Sequence, residues 1–321
     1  MRRGAAPFAA AWLAMAGALW AVEAPQFTSV QTLAGGEFRV QLTAPAGGMF
    51  RIETSTDLAQ WSGFLTFAST GALAHDDSAA PFAVKRFYRA RELGGTNIVT
   101  GDHLVTTNGD VIIHPVAHAS LALRWNNKTI FIDPATNAFT GVPRADLILF
   151  THTHGDHFSA GATAGLTNTG AAIVAPQGVY SSLSAALQGI TTVLTNGMST
   201  SKLGLNITAL PAYNLAGSPH AKGPNNGYLI AAGGKRLYFG GDTEDTPEMR
   251  ALTGVDVAFL AMNTPYTMTV TQAVSAVRAF RPAVVYPCHY RNQDGSFADL
   301  NAFKQQVKAD PGIEVRLRPW Y

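Results

Sequence analysis

Apolar and polar positions change rhythm near residue 95. Before it they alternate. Phe38-Arg39-Val40-Gln41-Leu42 and Phe50-Arg51-Ile52-Glu53 each place every second side chain on one face, with a Pro45-Ala46-Gly47-Gly48 turn between them. Arg86-Phe87-Tyr88-Arg89 reads as a closing strand, and Glu92-Leu93-Gly94-Gly95-Thr96 as a linker. After Ile98 the strands become continuously apolar. Residues 129–132, 146–150, 172–174, 228–230, 236–239 and 283–286 have the composition of strands covered on both faces. Two helices punctuate them. Thr269 with Gln272 predicts a capping box, followed by Val270, Ala273, Val274, Val277 and Phe280 at helical spacing. Ser296 with Asp299 predicts the start of a last helix ending near Pro311, then a strand over residues 313–317. The pattern predicts a small all-β module over residues 25–95 and an α/β layered domain over residues 96–321.

Composition supports a folded chain and adds an address. Apolar residues make up 47% of the 321 and charged ones 14%, and there are 31 glycines and 17 prolines, which suits a compact protein rich in turns. The net charge of +2, with no basic stripe, gives no reason to expect nucleic acid. Arg2 and Arg3 precede an Ala-rich apolar stretch over residues 5–22, and Val22-Glu23-Ala24 offers a small-residue cleavage site. Residues 1–24 therefore read as an export signal, favoured over a retained membrane anchor because the stretch is weakly hydrophobic. The expected location is periplasmic or extracellular. Cys288 is the single cysteine, so no intrachain disulfide can form.

The early β-rich segment resembles a small β-sandwich module of exported bacterial proteins, through Ser55-Thr56-Asp57-Leu58, Trp61, Asp77 and the Arg86-Phe87-Tyr88-Arg89 close. The resemblance implies no chemistry. Trp61 is expected in the core rather than as a sugar-stacking platform.

Chemistry concentrates in Thr151-His152-Thr153-His154-Gly155-Asp156-His157, directly after a predicted buried strand. Imidazole and carboxylate are good ligands for zinc-like ions. A turn through Gly155 can aim His152 and His154 at one point and Asp156 and His157 at another. Two further strand ends carry ligand-type residues, Gly240-Gly241-Asp242 and Pro287-Cys288-His289, and strand ends converge on one edge of an α/β sheet. If the chain is extended there, His289 facing the site turns Cys288 away.

With these residues in place, the chain resembles the metallo-β-lactamase superfamily over about residues 98–321. Pro211-Ala212-Tyr213-Asn214, Gly241-Asp242-Thr243-Glu244, Pro265-Tyr266-Thr267-Met268-Thr269 and Tyr286-Pro287-Cys288-His289-Tyr290 are similar to a bacterial subgroup of uncharacterised hydrolases. More distantly, the chain is similar to the lactonase and phospholipase D-like branches. The resemblance implies a four-layer αββα sandwich with a dinuclear site at one edge. His152 and His154 would bind a first ion, Asp156, His157 and His289 a second, and Asp242 would bridge. The ions implied are two divalent metals, zinc before others, with a hydroxide between them as nucleophile. Asp156 would orient it or take a proton.

One ligand is missing from the pattern. The superfamily places a histidine in the turn occupied here by Pro211-Ala212-Tyr213-Asn214. Asn214 stands there, and His220 is six residues on. The reading favours His220 as the third ligand of the first ion, because catalytic zinc commonly has three protein ligands. His118 is similar to a histidine of the distant branches and is either a donor behind the ligands or structural. The expected partner is a small molecule, an ester, lactone, phosphodiester or amide, with no stable membrane anchor. A mononuclear iron oxidoreductase and a non-catalytic metal-binding protein stand as competing readings.

Overall fold

The computed structural model describes residues 24–135, 139 and 141–321. The expected export signal, apart from Ala24, lies outside the described residues. The chain divides into two compact units, Met1–His103 and Leu104–Tyr321.

In the first unit the alternating segments form antiparallel strands. β1 (Gln26–Thr32), β2 (Phe38–Thr43), β3 (Met49–Ser55), β4 (Ser62–Ala68), β5 (Ala72–Asp77) and β6 (Phe87–Glu92) pair as β1-β2-β5 and as β6-β3-β4. β7 (Gly101–Leu104) joins β4 through Gly101 and Asp102. The inward residues of the alternation, Val40, Leu42, Phe50, Ile52, Phe64 and Phe67, make the core. Trp61 departs from expectation. It is half-buried outside this core, under the Arg89 guanidinium at 4.4 Å, with its Nε1 donating to the Leu58 carbonyl at 3.1 Å. It stands just ahead of β4, where Leu58 has turned the chain through φ +66°, so its ring lies along the surface. Two buried carboxylates are held by arginines. Asp77 accepts from Arg86, from the Tyr88 hydroxyl and from the Ala79 N–H, and Glu53 accepts from Arg89 and Arg91.

The second unit has two sheets, each an antiparallel meander that becomes parallel. In the first, β8 (Val111–Ala117), β9 (Ser120–Trp125) and β10 (Lys128–Ile132) are antiparallel neighbours. β11 (Ala145–Leu149), β12 (Thr167–Ala175) and β13 (Thr191–Val193) then follow in parallel. Helices α1 (Ala160–Leu166), α2 (Gln177–Ser182) and α3 (Ala185–Gln188) lie in the crossovers. In the second sheet, β14 (Ser199–Lys202), β15 (Leu205–Pro211), β16 (Asn226–Ala232) and β17 (Lys235–Phe239) are antiparallel. β18 (Val257–Ala261), β19 (Val284–Cys288) and β20 (Glu314–Val315) extend it in parallel. Its crossovers carry α4 (Pro247–Arg250), α5 (Val270–Phe280) and α6 (Leu300–Lys308).

The continuous apolar runs are explained by burial on both faces. Leu147 and Leu149 of β11 join a core shared with the second sheet's Ile207, Tyr228 and Leu237, whereas Ile148 and Phe150 face Val179 and Leu187 of the helices outside. On the far side, Val277 of α5 and Phe303 and Val307 of α6 cover the second sheet. The result is a four-layer αββα sandwich.

The capping box at Thr269 and Gln272 is present, and Arg281 ends α5 in the left-handed region at φ +47°. The last helix starts later than its sequence signal. Its cap is Asp299, accepting from the Ala302 N–H, while the Ser296 hydroxyl is engaged with Asp294 and Asn292. The final strand keeps only Glu314 and Val315 of the five residues expected.

Candidate metal centre

Strand ends build the site. β10 runs into Asp133, which is fully buried and turns the chain at φ +46°. Its carboxylate accepts from the Thr151 N–H at 2.7 Å and from the Thr151 hydroxyl at 2.6 Å, which ties it to the end of β11. The following turn closes where the His157 and Phe158 N–H groups donate to the His154 carbonyl. β17 delivers Asp242 through Gly241, whose φ is +63° and whose missing side chain would sit 3.1 Å from Thr151. A side chain there would be strained and crowded, so glycine is required. β19 delivers His289, itself at φ +43°, with its N–H on the His118 carbonyl at 3.0 Å.

Two sets of donors meet there. In one, His152 Nε2 and His220 Nε2 lie 3.1 and 3.2 Å from His154 Nδ1, and Asp242 Oδ2 lies 3.3 Å from His220 Nε2 and 4.0 Å from His152 Nε2. In the other, Asp242 Oδ1 lies 3.2 Å from His157 Nε2 and 3.5 Å from His289 Nε2; Asp156 Oδ2 lies 3.3 Å from His289 Nε2 and forms with it and His118 a further group beside this one. Asp242 thus gives one oxygen to each set. The structure brings together all seven residues named from the sequence: His152, His154, Asp156, His157, His220, Asp242 and His289. Asn214 stands behind His220. Its Oδ1 accepts from the His220 N–H at 3.0 Å and faces His220 Nδ1 at 2.7 Å. Cys288 lies outside both donor sets, and burial pushes its thiol well above the usual range.

The outer nitrogens of three imidazoles are engaged, which aims the other nitrogen inward. His157 Nδ1 meets Asp133 Oδ2 at 2.8 Å, His152 Nδ1 meets the Thr151 hydroxyl at 3.0 Å, and His220 Nδ1 meets Asn214. Asp133 and Thr151 are functional neighbours that the sequence reading passed over. The available signal was Asp133 at the end of a strand, the same placement as Asp242 and His289. His118 also reaches the centre, with Nε2 3.0 Å from Asp156 Oδ2 and its ring 3.7 Å from that of His289.

The charges are strongly coupled. Burial opposes ionisation of Asp242, yet His157, His289 and His152 around it hold its carboxyl well below the usual range. Burial likewise opposes a charge on His157, but Asp242 and Asp133 outweigh it and raise its pKa. Burial, reinforced by His157, lowers His152, and burial lowers His220 and His118 despite their carboxylate neighbours.

This chemistry fits a metal. His157 Nε2, Asp242 Oδ1 and His289 Nε2 are buried and make no aligned hydrogen bond. A buried polar atom left so costs about 1–3 kcal/mol. A divalent cation between the imidazoles and the carboxylate would satisfy all three at once. His154 and the half-exposed Asp156 are the members of the two sets open to solvent, so the site opens on that side.

An αββα sandwich with imidazole and carboxylate donors gathered at its strand ends defines a metal-dependent protein, and its relatives are hydrolases. The chain belongs to the metallo-β-lactamase superfamily: residues 113–289 match the family described as the β-lactamase superfamily domain. A metal-dependent hydrolase of Pyrococcus abyssi is 33% identical over 220 residues, which cover 64% of this chain and 95% of that protein. A crystal structure from Parabacteroides distasonis, assigned as a metal-dependent hydrolase, is 38% identical with a TM-score of 0.61. It covers 68% of this chain and 97% of its own. The structure of a metallo hydrolase from Ignicoccus hospitalis is 29% identical with a TM-score of 0.55, covering 65% and 94%.

Proposed function

We propose that this chain is an exported dinuclear zinc hydrolase acting on an ester, lactone, phosphodiester or amide of a small molecule. The observation that carries the dinuclear reading is Asp242, whose two oxygens divide between two donor sets. His152, His154 and His220 would hold one ion, and Asp156, His157 and His289 the other. When bound, the ions supply a water activated near neutral pH and a Lewis acid for the scissile oxygen.

The protein's own groups set the conditions. The buried imidazoles of His152, His157 and His220, each fixed by a partner behind it, hold a constant geometry. Asp156 is 45% exposed on its side chain and sits beside His289, so its carboxylate lies where the site opens to solvent. Its carboxyl is held far below the usual range: burial works against the charge, but His118 and His289 outweigh it, so it stays ionised, as a metal ligand must. Export rests on the Arg2-Arg3 start and the apolar stretch over residues 5–22.

Elemental analysis of protein purified without chelator, paired with chromogenic esters, lactones, phosphodiesters and a cephalosporin, tests the reading. About two zinc-like ions per chain and turnover on one class are expected. A well-folded sample with no transition metal would sink it.

A further inference from the structure

We propose that Tyr321, acting through His118, is a positioning residue that fixes the Asp156 carboxylate at the metal centre. The proposal rests on the metal-centre reading above. Asp156 sits in an exposed turn, and His118 holds its Oδ2 at 3.0 Å, nearer than His289 at 3.3 Å. A carboxylate only accepts, so the proton of the neutral His118 ring must be on Nε2. Nδ1 is then an acceptor and needs a donor. The Tyr321 hydroxyl lies 2.6 Å from it. The chain Tyr321 Oη–H to His118 Nδ1, then His118 Nε2–H to Asp156 Oδ2, is consistent in every donor and acceptor.

The framework holds both ends of this chain still. The His118 N–H donates to the Trp320 carbonyl at 2.9 Å, and its own carbonyl takes the His289 N–H. His118 adopts φ +56°, a conformation that non-glycine residues keep only when their surroundings impose it. The Tyr321 ring is clamped in turn. The Arg291 guanidinium lies 4.5 Å over it, and Tyr290 and Phe297 approach to 5.0 and 5.3 Å. These contacts involve the ring, so Tyr321→Phe leaves the packing and removes the hydroxyl, which donates to His118 and also accepts from the Arg291 N–H at 3.4 Å.

Without the tyrosine hydroxyl, Nδ1 loses its partner and the ring is held at one end only. His118 can then swing away, and the carboxylate loses its fixed donor. Groups behind metal ligands typically contribute 10–100-fold in affinity or activity. The test compares wild-type protein and Tyr321→Phe, each loaded with zinc. Imidazole nitrogen spectra should show the Nε2–H form of His118 in the wild type and a shifted Nδ1 resonance, that of a nitrogen without its donor, in the variant. Chelator competition should show one zinc equivalent weakened about tenfold. On whichever panel substrate is turned over, kcat should fall about tenfold with KM little changed. His118→Gln supplies the second arm, because an amide donates to Asp156 without needing a tautomer. In that background Tyr321→Phe should add nothing.

An unchanged Nδ1 resonance and unchanged zinc affinity in Tyr321→Phe would overturn the proposal. So would an equal loss in the His118→Gln background, which would mean that Tyr321 acts by packing. Loss of a whole zinc equivalent in His118→Gln alone would make His118 a ligand instead. A wild-type protein that takes up no zinc removes both this inference and the metal-centre reading, whereas a zinc-loaded wild type with an indifferent Tyr321→Phe removes this one alone.

Discussion

Two aspartates, Asp77 in the first unit and Asp242 in the second, are 0% and 4% exposed and solve the same problem differently. Asp77 is saturated by its own chain: Arg86 supplies a fixed positive charge, and Tyr88 and a backbone N–H complete its shell. Asp242 is surrounded by imidazoles, and its Oδ1 makes no aligned hydrogen bond. Arginine cannot be deprotonated, so the first arrangement is permanent. Imidazoles are neutral ligands at the pH where metals bind, so the second is completed from outside. A buried carboxylate is structural when its cation is covalently part of the chain, and chemical when that cation is exchangeable.

The comparison breaks most sharply at Asp242 itself. Asp242→Ala removes a donor from both sets, so both ions should be lost or weakened. Activity should fall by more than the ~10–100-fold typical of groups behind ligands. Zinc content and turnover check this, and retention of two tightly held ions would separate Asp242 from the centre. The counterpart, Asp77→Asn, leaves Arg86 buried without its charge partner and should destabilise the first unit by about 3–5 kcal/mol. Denaturant titration should show that loss, while zinc per chain stays the same; a fall in zinc would contradict the division of labour. A smaller effect is expected for Asp133→Asn, which weakens the hold on His157 Nδ1 and should lower zinc affinity about 10–100-fold without removing a ligand. Chelator competition measures it, and wild-type affinity would leave Asp133 with a purely structural role.

The smallest effect concerns acid. Burial works against a charge on Glu53, but its bonds to Arg89 and Arg91 lower its pKa overall. Its contribution is therefore fully present above the ordinary carboxylate value and fades as pH falls through the lowered one. Replacing both arginines by glutamine should flatten the acid limb of first-unit stability by an amount discounted for their half-exposed side chains. An unchanged limb would show that the pair contributes nothing there.

The sequence disclosed residues whose chemistry is unusual and whose neighbours lie close by. His152, His154, Asp156 and His157 announce themselves within six positions, and the apolar run before them fixes their place at a strand end. Asp133, Thr151 and Tyr321 were opaque for the opposite reason. Each is a common residue type with a partner far along the chain, 18 residues for Thr151 and Asp133, 24 for Asp133 and His157, and 203 for Tyr321 and His118. Asn214 was visible as a rival to His220, but only folding shows it placed behind that imidazole. Trp61 went astray because aromatic bulk suggests a core, whereas its register puts it on a turn under Arg89. Ser296 matched a capping pattern at the right spacing, and a competing Asp294 contact took its hydroxyl.

His118, Asp133 and His289 share one further property: each is a non-glycine residue with a left-handed backbone, at φ +56°, +46° and +43°. Such conformations cost on the order of 1–3 kcal/mol apiece. Glycine at any of the three would relax the backbone while erasing a side chain at the metal centre. A screen that rewards thermal stability alone would therefore be drawn to these positions. Its best folders would be inactive proteins, so selection for robustness in this chain has to be coupled to retention of metal.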